Sequence, residues 1–431
     1  MNKELNISYE ILSKVYLDKS YVSIELNKHL GKLDSSVNSS LITKIVYGVL
    51  EKDILLEYFV NHFVKKSPND KIMILLKIVG YVSKAVNSIP AFALVNEIVT
   101  IAKKIDYHSS GFVNAVAKKM VSADIKLPSK SNLTKYLSVK YNYPEWVIEE
   151  LLKSFDEKFV TDLVSCELTS LTHIRVNLDK TTAADFKAEL DKLEIKYEPS
   201  LYDYTMYVDY AKLLKISELQ DKYIVQGLPS IITCTVLGAD KGRVLDVCAA
   251  PGGKSVYLAQ NRNLKVYSCD IHKHRVELVA KYAKSVGVQL KTAVQDGTKY
   301  REDWKEQFDF VMCDVPCSNL GVSRKKPDVF LNKTLADAKT LAGIQYQILE
   351  NSAKYVKKGG ILQYSTCTIL DFENKNVIEK FLSSHKDFEL TEIDFGDINI
   401  TNDNKMYTFY PNLTKTEGFF IGRLKRLWIY Y

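Results

Sequence analysis

Long apolar runs are missing from this chain. No stretch approaches the roughly eighteen consecutive apolar residues needed to cross a bilayer, so a membrane-spanning helix is not expected. The first residues, MNKELNISYEIL, lack the apolar core and small-residue cleavage site of a secretory leader. Proline and glycine are sparse, at 10 and 18 of 431 residues, which leaves no flexible or collagen-like tract. Cysteine is scarce too. The seven are odd in number, irregularly spaced and contain no CxxC pair, which argues against a disulfide framework and a structural metal site. A cytoplasmic protein without a metal is expected, with a monomer as the default. The formal charge of +7 is modest and leans toward a polyanionic partner.

What is present falls into three segments, and the chain reads as multi-domain. Residues 1–125 read as all helix, with apolar residues at helical spacing in 41–50 and again in 94–105. Breaks fall at Ser67-Pro68-Asn69-Asp70 and Ser88-Ile89-Pro90. Residues 126–235 begin with a helical stretch after Pro144. Strand-like HIRVNL (173–178) and MYVDY (206–210) follow, with a helix over 184–190 between them, which suggests a small α+β module. Residues 236–431 alternate short apolar strands with amphipathic helices. The strands are RVLDV (243–247), KVYSCD (265–270), FDFVMCD (308–314) and GGILQYS (359–365), and a helix spans 273–286. That alternation predicts an α/β domain with a parallel sheet covered on both faces.

After RVLDV the chain reads Cys248-Ala249-Ala250-Pro251-Gly252-Gly253-Lys254, and a helix follows. A glycine-rich turn between strand and helix lets the backbone approach a ligand and aims free N–H groups at it. The loop lacks GxxxxGK[ST] spacing, so a nucleoside triphosphate is disfavoured. Asp270 closes the next strand, where a carboxylate accepts from both ribose hydroxyls. Asp296 follows the third strand, within reach of an adenine amino group. That order suits an adenosyl cofactor.

Asp314-Val315-Pro316-Cys317 and Ser365-Thr366-Cys367-Thr368 each follow a strand. Ligands of open α/β sheets bind beyond the carboxyl ends of the strands, so both thiols should face one crevice. The other five, Cys166, Cys234, Cys248, Cys269 and Cys313, read as apolar filler. A thiolate is the group needed to methylate carbon 5 of a cytosine. Added to carbon 6, it turns the ring into an enamine whose carbon 5 attacks a methyl sulfonium. Asp314 is placed to protonate or hydrogen-bond the pyrimidine edge.

DVCAAPGGK (246–254), DVPCSNLG (314–321), YSTCT (364–368) and EGFFIGRL (417–424) resemble the motifs of the NOL1/NOP2/Sun family of RNA cytosine-5 methyltransferases. The helical segment resembles a NusB-type RNA-binding domain, most clearly in VNEIVTIAKK (95–104) and GFVNAVAKK (111–119). The resemblance covers nearly the whole chain. It implies an all-α NusB-like bundle, an RRM-like α+β linker module and a C-terminal Rossmann-like class I S-adenosylmethionine-dependent methyltransferase. It also implies that Cys367 is the nucleophile and that Cys317 assists product release. Residues alone leave that division open, because cytosine-5 DNA methyltransferases attack through a Pro-Cys cysteine. Cys248, Ala249, Ala250, Pro251, Gly252, Gly253, Lys254, Asp270, Asp296 and Asp314 are implied to line the cofactor site, with Lys254 and Asp314 also in the catalytic set. The implied substrate is a single-stranded or loop cytosine of 16S ribosomal RNA. Transfer RNA is the competitor, and a non-catalytic RNA-binding or assembly factor is the reading from another class.

Arg324, Lys325 and Lys326, close behind the first cysteine motif, are expected to hold RNA phosphates. Arg175 and Asn177 match a family RVN element and are expected either to contact RNA or to brace a strand edge. Lys103, Lys104, Lys118 and Lys119 read as a solvated helix face. The family's VQD-type segment is altered here to Val225-Gln226-Gly227-Leu228-Pro229-Ser230-Ile231; Asn319-Leu320 stands where small residues are usual, and Glu417 replaces an Asp.

Overall fold

The computed structural model describes residues 2–34 and 36–428. By packing, these form two compact units, one of the described residues up to 165 with 323–335 and one of residues 166–322 with 336–428. Their limits differ from the three segments above: the helices between 126 and 165 group with the bundle, and the small sheet groups with the large one.

In the first unit the apolar runs are helical as expected. The 41–50 run lies on Ser39–Glu51, which buries Ile42, Ile45, Val46, Val49 and Leu50. The 94–105 run lies on Ala91–Ile105, which buries Leu94, Val95, Ile98, Ile101 and Ala102. Both breaks act as helix starts. Asn69 caps Asp70–Ala85 by accepting from the Ile72 N–H, and Pro90 stands just before Ala91–Ile105. Asp70–Ala85 carries eleven buried residues and is the axis of the bundle.

The second unit holds two sheets. The smaller comprises β1 (Thr172–Val176), β2 (Tyr197–Pro199), β3 (Thr205–Val208) and β4 (Tyr223–Val225), all antiparallel in the order β2-β3-β1-β4. Helix Ala183–Lys192, capped by Thr182, packs Phe186 and Leu190 into its core. The larger has nine strands: β5 (Gly242–Asp246), β6 (Leu264–Asp270), β7 (Lys291–Val294), β8 (Phe308–Asp314), β9 (Val356–Thr366), β10 (Phe388–Leu390), β11 (Thr401–Asp403), β12 (Met406–Phe409) and β13 (Phe419–Arg426). Strands β9-β8-β5-β6-β7 run parallel, as expected. The sheet is extended beyond these strands, because β13 pairs antiparallel with β9 and carries β12 and β10 antiparallel on it. Strand order reverses at β5, which lies between β8 and β6, so the crevice beyond the ends of β5 and β8 is where such a sheet takes a ligand.

A candidate active site beyond the ends of β5, β8 and β9

Asp246 ends β5 at 1% exposure. Its Oδ2 accepts from Ser255 Oγ at 2.6 Å, which accepts in turn from Ser268 Oγ at 2.8 Å, while its Oδ1 has no protein partner. The loop that follows is tied down by Val247 N–H to the Met312 carbonyl (3.1 Å) and Ala249 N–H to the Cys269 carbonyl (2.7 Å). The Ala250–Pro251 bond is cis. Gly252 has φ +111°, and a Cβ there would press on the Val279 backbone, so only glycine fits this turn. Helix Gly253–Ala259 starts at the loop's end. Asp270, nearly buried, accepts from the His272 N–H at 3.2 Å and lies 3.4 Å from the Arg275 guanidinium. Asp296 accepts from Thr298 Oγ at 2.6 Å and from its N–H at 3.0 Å, and these bonds hold its carboxyl below the usual range. An orphaned buried oxygen, a glycine turn too tight for a side chain and two carboxylates at successive strand ends fit the adenosyl cofactor predicted from the sequence.

Burial pushes the Asp246 carboxyl up to about 7, with Ser255 opposing. Since the folded-state value is raised, the stability it contributes is full below the ordinary carboxyl pKa of about 4 and is lost as pH rises through about 7. Without cofactor, Asp246→Asn should therefore gain on the wild type between pH 5 and 8, by on the order of 2 kcal/mol and a few degrees in Tm. Parallel Tm–pH curves for the two proteins would sink this assignment.

Lys254 turns inward, its Nζ 2.6 Å from Asp314 Oδ2. Burial works against its charge, but Asp314 outweighs it and holds the ammonium protonated well above the usual lysine range. Asp314, at the end of β8, also accepts from Ser365 Oγ on β9 at 2.9 Å. Beyond these strand ends the two cysteines meet, Cys317 Sγ lying 3.3 Å from Cys367 Sγ. Asn319, at φ +62°, turns its side-chain oxygen to Cys367 Sγ at 2.9 Å and to Cys317 Sγ at 3.8 Å. The Cys367 thiol first, and burial second, push Cys317 well above the ordinary thiol range. Of the five cysteines read as filler, Cys166, Cys234, Cys269 and Cys313 are buried and Cys248 is half-buried.

The two cysteine loops are also sewn together by backbone. The Gly321 N–H donates to the Cys367 carbonyl at 3.0 Å, and the Gly418 N–H donates to the Gly321 carbonyl at 2.8 Å. A Cβ on Gly321 would overlap the Gly418 carbonyl oxygen. Gly321→Ala should cost about 2 kcal/mol, since backbone cannot yield as a side-chain tip can. Chemical denaturation measures it, and a change under 0.5 kcal/mol would show that the loops part freely.

The residues expected to meet RNA lie in two different environments. Arg175 and Asn177 are buried: Arg175 donates to Gln226 Oε1 (2.8 Å) and to Gln260 Oε1 and lies over the Tyr257 ring, while Asn177 donates to the Asp221 carbonyl (2.9 Å). They brace the small sheet against the large one. Gln226, from the altered VQG segment, is the hub of that brace. Arg324, Lys325 and Lys326 belong to the helical unit, where Arg324 donates to the Val164 carbonyl and covers the Tyr143 ring at 5.3 Å. Lys325 and Lys326 are exposed. Sequence reasoning also missed Asn319, Ser318, Gln345 and Glu373. A lone Glu in DFENK gives no sign that it will be buried.

The fold and the paired thiols beside a cofactor turn define an S-adenosylmethionine-dependent methyltransferase of class I architecture. Residues 234–425 match the family model of 16S rRNA methyltransferase RsmB/F, and residues 3–122 match that of the NusB family. The chain is 31% identical over 401 residues, 89% of each chain, to the probable ribosomal RNA small subunit methyltransferase B of Bacillus subtilis (strain 168). It is 28% identical over 414 residues, 93% of this chain and 94% of the other, to the ribosomal RNA small subunit methyltransferase B of Photorhabdus laumondii. Among solved structures it resembles PH0851, with a TM-score of 0.83 at 23% identity over 99% of both chains, a likeness of fold. The chain belongs to the ribosomal RNA small subunit methyltransferase B family, RsmB, of rRNA methyltransferases. Among the described residues no helix is long and apolar enough to cross a membrane, and no cluster of three or more His, Cys, Asp or Glu side chains is arranged to hold a metal ion.

Proposed function

We propose that the protein forms 5-methylcytosine in 16S ribosomal RNA, with Cys367 bonding covalently to carbon 6 of the target cytosine and Cys317 assisting release. The observation that carries this is the pair of thiols 3.3 Å apart beside the Lys254–Asp314 ion pair. The cofactor supplies an electrophilic methyl group. Cys367 Sγ adds to carbon 6, and the electron pair displaced toward carbon 5 makes that carbon the nucleophile for the methyl. Lys254 and Asp314 offer a donor and an acceptor to the polar edge of the ring, where charge develops as the thiolate adds. After transfer, the Cys317 thiolate takes the proton from carbon 5, that electron pair re-forms the 5,6 double bond, and the carbon–sulfur bond breaks with its pair returning to Cys367 as a thiolate. Cys317 suits that later step. Its proton is held chiefly by the neighbouring Cys367, and once Cys367 has become a thioether that influence is gone.

Residues 248–254, Asp270, Asp296 and Asp314 are assigned to the cofactor. In this reading residues 1–125 are the NusB-like RNA-holding domain, 126–235 the linker and RRM-like module, and 236–431 the catalytic domain. The protein works as a monomer in the cytoplasm on an unstacked cytosine. Bisulfite sequencing of ribosomal and transfer RNA, with and without the gene, tests the substrate. One 16S cytosine should lose its mark without the gene. Loss confined to transfer RNA would overturn the ribosomal reading.

A further inference from the structure

The residue that follows each cysteine is anchored to the same buried group. Ser318, next to Cys317, donates its N–H to Glu373 Oε1 at 2.8 Å and its hydroxyl to Glu373 Oε2. The same hydroxyl is 2.8 Å from Thr368 Oγ1, and Thr368 is next to Cys367. A third donor, Gln345 Nε2, reaches Glu373 Oε1 at 3.0 Å and the Pro316 carbonyl at 2.9 Å, so it holds the loop from the other side of Cys317. Glu373 has no exposed surface. Its backbone carbonyl accepts from Tyr364 on β9, three residues before Cys367. Asn374 adds to the anchor through bonds with Thr366 and Thr368, the two flanks of Cys367.

A carboxylate is the side chain suited to this place. It has only acceptors, spread over two oxygens, and so takes donors from two loops at once. Burial raises its pKa, while Ser318, Gln345 and Thr368 oppose that cost. Both oxygens are engaged and dry, so Glu373 is not itself a base for the reaction. Few groups of this kind are kept in a core without a structural task, since an unpaired buried carboxylate costs several kcal/mol.

We propose that Glu373 is a positioning residue whose carboxylate, by holding Ser318 and through it Thr368, sets the separation of the Cys317 and Cys367 thiols. Its effect on turnover rests on the covalent mechanism proposed above; its effect on thiol separation does not. An error of about 1 Å in the placement of reacting groups costs up to about a hundredfold in rate, so a small spread of the loops would be felt.

The test uses the full chain and two readouts. The first is the rate at which diamide, a thiol oxidant, joins Cys317 to Cys367, followed by mass spectrometry without RNA. The second is covalent adduct formation with a cytosine-containing 16S fragment in the Cys317→Ala background. Glu373→Ala should slow the cross-link and the adduct by about tenfold each, with RNA affinity within about twofold. Glu373→Gln keeps an acceptor for Ser318 and Gln345 and should restore both to within about threefold of the parent. A wild-type cross-linking rate in Glu373→Ala would overturn the proposal. Should that variant fail to fold, Ser318→Ala breaks the hydroxyl bridge but leaves the carboxylate its other donors; it too should cross-link more slowly, and an unchanged rate overturns the proposal equally. If cross-linking depends on Glu373 while the Cys317→Ala parent forms no adduct, the covalent mechanism falls and the positioning role stands.

Discussion

Replacing Cys367 by alanine is expected to abolish both methylation and covalent capture of RNA, whereas Cys317→Ala should stop turnover while accumulating an RNA–protein adduct. The two thiols are chemically identical and 3.3 Å apart, so the experiment asks what distinguishes them. Cys317 is the more enclosed, at 4% exposure, and Cys367 is the partly open one. A nucleophile has to reach a base entering from solvent, and a proton acceptor only has to lie beside the bond it helps to break. Loss of a covalent nucleophile commonly costs on the order of 10⁴-fold or more in kcat, because the direct reaction at an unactivated carbon 5 is so poor. For Cys317→Ala the signature is qualitative: a denaturant-stable, cofactor-dependent band shifted by the mass of the RNA. An adduct formed by the Cys367 variant instead would reverse the roles.

The second large effect is expected at Asp314. Asp314→Ala leaves the Lys254 ammonium mostly buried without its partner, a loss of about 2 kcal/mol once the pair's partial exposure is allowed for. Activity should fall about 10²- to 10⁴-fold, the range for removing a group that hydrogen-bonds or moves a proton at the reacting ring. Changing both residues, Lys254→Met with Asp314→Ala, should recover most of the stability but none of the activity, because the stranded charge is gone while the ring has lost both partners. If the double variant is as unstable as the two single losses combined, the ion pair is not what the site is built on.

Much of this was legible in the sequence because strand ends are. RVLDV, FDFVMCD and GGILQYS are short apolar runs that stop at a turn or a polar residue, and in a doubly wound sheet such stops collect at one edge. That logic brought Asp314, Cys317 and Cys367 toward one crevice. It did not reveal that EGFFIGRL runs antiparallel, because an apolar strand looks the same in either direction. Nor did it reveal the burial of Arg175. In HIRVNL the polar residues His173, Arg175 and Asn177 alternate with Ile174 and Val176, which reads as one wet face and one dry one. Both faces are dry here, the polar one satisfied by Gln226, Gln260 and the Asp221 carbonyl. Those partners lie up to 85 residues away, and no local pattern encodes them. Glu373 escaped notice for the same reason, as its donors come from Ser318 and Gln345.

The strip from Ser323 to Leu335 is catalytic-domain sequence by position, yet it is part of the helical unit by packing. There Phe330 lies 5.0 Å from the Tyr143 ring, Asp328 accepts from the Val22 N–H at the start of a helix, and Leu331 packs against the bundle core. A gene fragment cut at residue 236 would therefore carry a greasy tongue torn from its socket, while the bundle expressed alone would gape where that tongue had been. Each half is expected to aggregate, and the two co-expressed to rejoin. The natural seam of this protein is not a point on the chain, and a modular reading of its history must explain how one module came to keep a piece of the other.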